Sequence, residues 1–92
     1  MKRVTIEEAK DHAELEREFP SIDEAVAAVR AAWAPLDVTA DTAAKPTDSL
    51  ITDDDWTETA IPGERELVLV RWSPDGLNPY EVAVVREEEV ED

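Results

Sequence analysis

Apolar positions gather in two short runs of the C-terminal half, Leu67-Val68-Leu69-Val70 and Val82-Ala83-Val84-Val85. The stretch between them carries Pro74, Gly76 and Pro79. Branched and aromatic residues on both sides of a Pro/Gly turn predict an antiparallel β-hairpin over Glu66 to Val85. Both faces of this hairpin are apolar at its centre. Each face therefore needs a cover, or one of them is a binding surface.

Upstream the spacing reads as helical. Residues 5–18 predict a first helix, opened by Thr5 and Glu8 at capping-box spacing. Its apolar side is thin (Ile6, Ala9, Ala13), and its acidic side is better defined. Glu7, Asp11, Glu14 and Glu18 recur at i, i+4, i+7 and i+11, which makes one stripe along a helix. Neighbours in such a stripe lie roughly 5–6 Å apart, near the phosphate spacing of one nucleic-acid strand. Pro20 ends this segment. Residues 21–34 predict a second helix, with Ser21 and Glu24 as its capping box and Ile22, Val26, Val29 and Trp33 as its apolar face. Pro35 stops it.

Residues 35–48 are weakly patterned and read as a long loop. Two short strand pieces, 49–52 and 56–61, flank Asp53-Asp54-Asp55, which reads as a bulge. Pro62-Gly63 turns the chain into the hairpin, and residues 87–92, five of them acidic, read as a frayed tail. The expectation is a single α+β domain over residues 1–92. Two N-terminal helices would pack on one face of a three- to four-stranded antiparallel meander over 49–86.

Composition changes the picture mainly through charge. The net charge is −15, with 10 acids against 6 bases in residues 1–46 and 14 against 3 in residues 47–92. Such a field repels nucleic acid, anionic membrane and phosphate ligands, and attracts basic surfaces. The commonest strongly basic surfaces are those that bind DNA or RNA. The expected partner is a basic DNA-binding protein or enzyme, with no direct nucleic-acid or membrane binding. An acidic, lysine-poor chain with three Lys also fits adaptation to high internal salt. The absence of Cys excludes a disulfide framework and thiolate metal sites. No apolar run reaches the ~20 residues of a membrane span, and the charged start lacks a signal-peptide core. A cytoplasmic location is the expectation.

Catalytic patterns are weak. His12 has no nucleophile or second His arranged around it in sequence, and reads as a surface residue. With two Gly in the chain there is no phosphate loop. Asp53, Asp55, Thr57 and Glu64 mimic part of a calcium-loop spacing, but Glu58 replaces the required Gly and Ile61 falls at a ligand position. Carboxylate pairs suited to glycosidase chemistry carry little information where acids are this common. The reading is a non-enzyme without metal or cofactor.

Three stretches carry a resemblance. Lys45-Pro46, Leu50-Ile51 and Trp56 with Glu58 form the first, Leu67 to Val70 the second, and Pro79-Tyr80 with Val82 the third. Over residues 45–86 the chain resembles the phage-type uracil-DNA glycosylase inhibitors, small acidic proteins that mimic DNA. The resemblance implies an inhibitor that occupies the DNA cleft of its enzyme and holds a protruding apolar residue of that enzyme in a pocket between helix and sheet. That family's edge strand would fall at Glu18, Ser21 and Ile22, and its hairpin-loop acid at Ser73, with Asp75 as a substitute.

The expected contact set is therefore acidic at Glu7, Asp11, Glu14, Glu18, Asp23, Glu24, Asp53, Asp54, Asp55 and Asp75. Its apolar pocket would be lined by Ile22, Val26, Val29, Val68, Val70 and Ala83. A plain hydrophobic core accounts for the same apolar residues. Two other functions fit the charge: an immunity or antitoxin protein that neutralises a basic nuclease or deaminase, and a salt-adapted domain whose acidity serves solvation.

Overall fold

A computed structural model describes residues 1–90 and shows one helix packed on a six-stranded antiparallel sheet. The elements are β1 (Lys2–Ala9), β2 (Glu18–Phe19), α1 (Ile22–Trp33), β3 (Val38–Ala40), β4 (Thr57–Glu58), β5 (Glu64–Trp72) and β6 (Pro79–Glu89). Single 3-10 turns lie at Ala13–Leu15 and Asp53–Asp55. The sheet runs β2-β1-β6-β5-β3, and β4 pairs with β5 further along the same edge as β3. The fold is mostly β. The expected pair of N-terminal helices on a meander in sequence order is overturned.

The expected first helix is β1, a turn and β2. Val4 and Ile6 alternate with Thr5 and Glu7, and a bulge after Ile6 returns Ala9 to the buried side. What selects the strand is β6, which runs antiparallel beside β1. Lys2 pairs with Glu87 at 3.2 Å, Arg3 with Glu88 at 3.3 Å, and Arg86 with Glu7. These charges favour the strand only once the far end of the chain lies alongside. The expected frayed tail instead begins as the last three residues of β6, Glu87 to Glu89, and Glu87 is buried. Residues 91 and 92 of that tail lie outside the described residues.

The hairpin forms as β5 and β6, joined by a turn over Ser73 to Asn78. The second expected helix forms as α1. Ser21 caps it, its hydroxyl accepting from the Glu24 amide at 3.2 Å. Residues 49–52 are not a strand, and β3 arises within the expected loop. Gly63 turns the chain into β5 with φ +80, and a Cβ there would sit 3.2 Å from that of Glu89.

The core lies between α1 and one sheet face. Ala25, Val26 and Val29 of α1 meet Val4, Ile6, Leu67, Leu69, Ala83 and Val85. Among the described residues no helix covers the other face. There Val70, Trp72 and Thr39 are buried, and the Trp72 indole Nε1 donates to Thr39 Oγ1 at 3.0 Å. Among the described residues no helix is long and apolar enough to cross a membrane.

Candidate partner-binding cleft

The N-terminal half of α1 and the segment 49–56 face each other across an open cleft of about 470 Å³. Local sequence chemistry holds both walls. On the helix side, the Ser21 cap starts α1 so that Ile22, Asp23 and Val26 line the cleft. Arg30, in the last turn, reaches across. Its Nε donates to the Val38 carbonyl at 3.2 Å and its Nη2 to the Ser49 carbonyl at 2.6 Å. One guanidinium therefore ties the second wall to the helix.

On the other side, Thr52 and Asp55 form a reciprocal capping box around the 3-10 turn, the Thr52 amide donating to Asp55 Oδ2 at 2.7 Å. The Thr42 hydroxyl also donates to Asp55. This turn aims Asp53 at Arg65, whose Nη1 lies 3.0 Å from Asp53 Oδ1. Arg65 stacks over the Trp56 ring at 4.4 Å and donates from Nε to Glu87 at 2.8 Å. Burial pushes the Arg65 pKa down, but the hydrogen bonds to Asp53 and Glu87 outweigh it, and the net shift is upward. Inside the cleft Ile22, Val26, Ile51 and Trp56 are apolar, while Leu50 at its lip is 81% exposed.

Four of the expected contact residues meet here: Ile22, Asp23, Val26 and Asp53. The others disperse. Val29 and Ala83 are plain core, and Val68 and Val70 belong to the sheet face away from α1, so the six apolar residues do not form one pocket. The acidic stripe of a first helix does not exist. Glu7 is a strand residue bonded to Arg86. Asp11 occupies a left-handed turn with φ 60, which a short Asp side chain tolerates. Glu14 sits in a 3-10 turn against His12 at 3.3 Å, and its pKa is lowered first by a backbone hydrogen bond and then by His12. Glu18 lies on the edge strand β2, 3.8 Å from Arg3, while Ser21 and Ile22 belong to the start of α1.

Glu24 stands in the first turn of α1. Asp54 makes no ion pair among the described residues, whereas its neighbours Asp53 and Asp55 are engaged as above. Asp75 closes the β5–β6 turn, accepting from the Ser73 hydroxyl and from the Leu77 amide at 3.0 Å. Those two bonds hold its carboxyl below the usual aspartate range. His12 is mostly buried, with its ring edge against Trp33 at 5.1 Å, rather than free on the surface.

Sequence reasoning missed Leu50, Ile51, Trp56, Arg30 and Arg65 as cleft residues. One signal was present: Thr52-x-x-Asp55 has the spacing of a cap, which argues for a turn with Leu50 and Ile51 beside it instead of a strand.

The basic side chains explain where the charge goes. Lys2, Arg3, Arg65 and Arg86 are held in internal ion pairs. Among the described residues, exposed carboxylates such as Asp23, Glu24, Asp54 and Glu58 form no ion pair. No protein-family model, curated protein or solved structure matches this chain.

Proposed function

We propose that this chain is a non-catalytic, cytoplasmic acidic inhibitor that occupies the nucleic-acid-binding cleft of a basic DNA-processing enzyme, with a uracil-DNA glycosylase as the first target to test. One observation carries the reading: a cleft whose apolar lining includes Ile22, Val26, Ile51 and Trp56 also presents the carboxylates of Asp23 and of Asp53, the latter paired with Arg65, with the exposed Asp54 next in the chain. Carboxylates steer a basic partner into place, and an apolar recess adds the affinity that exposed charge lacks. The resemblance over residues 45–86 supports the same class of target.

The test is uracil excision by a purified glycosylase, titrated with this protein at about 0.1 M salt, where charge attraction still reaches roughly 10 Å. Near-stoichiometric inhibition, competed by DNA and weakened by Asp23→Lys with Asp54→Lys, is the expected result. Uninhibited excision at large excess removes that target.

A second reading, an immunity protein against a basic nuclease or deaminase, gains from the dispersal of Glu7, Asp11, Glu14 and Glu18 over a strand, a turn, a 3-10 turn and an edge. An irregular acidic surface suits one fitted partner better than a regular phosphate ladder. Protection of cells from a co-encoded toxin distinguishes this reading.

A further inference from the structure

We propose that Arg71, stacked between Trp33 and Tyr80, is a docking point for a single carboxylate side chain of a protein partner that is otherwise basic. The argument begins with its neighbours in the sheet. Arg71 pairs with Val38 on one side and Tyr80 on the other, so neither cross-strand partner is an acid. Glu81 follows Tyr80, but it pairs with Val70, so its side chain leaves from the opposite sheet face. The chain carries 24 acids, and Arg3, Arg65 and Arg86 each hold at least one. Arg17, Arg30 and Arg71 hold none among the described residues, but Arg17 and Arg30 donate to backbone carbonyls and Arg71 donates to no group described. Its guanidinium lies 5.1 Å from the Trp33 ring centre and 4.7 Å from that of Tyr80.

Aromatic rings occupy the faces of a guanidinium and leave its edge free. That edge presents a planar fork of N–H donors, none of which is used within the described residues, and a carboxylate accepts two of them side by side. Tyr80 is 49% exposed, so the stack reaches the surface. Trp, Tyr and Arg are also the residue types that dominate the energetics of protein interfaces. The chain's net charge of −15 selects the bearer of that carboxylate. A free anion is repelled, whereas an acid set among basic residues is carried in by their attraction. A cation with a free fork on an acidic chain then fixes the orientation in which the partner binds.

Selection from a library of short random peptides with amidated C-termini tests this. The native chain is the bait at about 0.15 M salt, and Arg71→Gln is the counter-selection. Peptides that recognise only the acidic surface bind both chains and are removed. The expected survivors share one Asp or Glu among basic residues. They bind Arg71→Gln about tenfold or more weakly and shift the Trp33 indole N–H resonance. Arg71→Lys, which keeps charge and stem but not the fork, binds them more weakly than the native chain. Unchanged near-ultraviolet circular dichroism of either variant shows that its fold is intact. The proposal is overturned if no peptide survives, if survivors lack an acid, or if Arg71→Lys binds them like the native chain. A native dimer that Arg71→Gln dissociates in sedimentation velocity also overturns it, by making a second copy the occupant.

Discussion

Arg65 donates from Nε to the buried Glu87 carboxylate at 2.8 Å, and through this bond the C-terminal strand reaches the cleft. The same guanidinium covers Trp56 and holds Asp53. Removing Glu87 would leave Arg65 and Lys2 without their shared partner. Glu87→Ala is expected to cost about 2–3 kcal/mol, below the ~3–5 kcal/mol of a fully buried broken pair, because Arg65 keeps Asp53 and Lys2 is exposed. Urea unfolding followed at Trp56 checks both the loss and the loosening of the cleft. A change below about 0.5 kcal/mol, the usual size for surface substitutions, would show that the pair contributes little.

On the sheet face away from α1, the Trp72 indole donates to Thr39 Oγ1 at 3.0 Å. Thr39→Val keeps the shape and orphans a buried N–H, which costs about 1–3 kcal/mol. Adding Trp72→Phe removes the orphaned donor, so the double variant should lose less than the two single losses together. Strict additivity in a double-mutant cycle would refute the coupling.

Helix α1 starts at Ser21 because its hydroxyl meets the Glu24 amide. Ser21→Ala should cost about 1 kcal/mol. Helix amide exchange should quicken in the first turn of α1 before it does in the last. Equal quickening along the helix would argue against a capping role.

Asp75 has a carboxyl pKa held down by the Ser73 hydroxyl and the Leu77 amide. A depressed folded pKa stabilises the turn above the ordinary aspartate range. That contribution disappears as pH falls through the lower folded value. The Leu77 amide resonance should therefore move in acid, below the ordinary aspartate range, in the native chain and remain still in Asp75→Asn. The same titration in both would assign the change to another group.

Self-repulsion among unpaired acids should make the melting temperature rise with KCl, because salt screens exposed charges. If acidity serves partner binding, Asp23→Lys with Asp54→Lys weakens association. If acidity serves solvation alone, those substitutions leave association unchanged.

Local chemistry made several elements legible. The Pro74/Gly76 turn and its apolar flanks specified the β5–β6 hairpin, and Ser21 with Glu24 and the Ile22, Val26, Val29 spacing specified α1. These signals act between near neighbours, so they survive without knowledge of the fold. The net charge of −15 and the absence of Cys were likewise complete in the sequence.

Tertiary structure alone decided the N-terminal strand, the buried end of β6 and the cleft. Residues 5–18 satisfied helical spacing, yet Lys2, Arg3 and Glu7 meet their counter-charges only when Glu87, Glu88 and Arg86 lie alongside. The sequence by itself determined which segments could fold locally and where the charge would accumulate. Pairing between the two ends determined the rest. A strand's favourable cross-strand partners can lie more than eighty residues away, as Lys2 and Glu87 do, whereas a helix is written in steps of three and four.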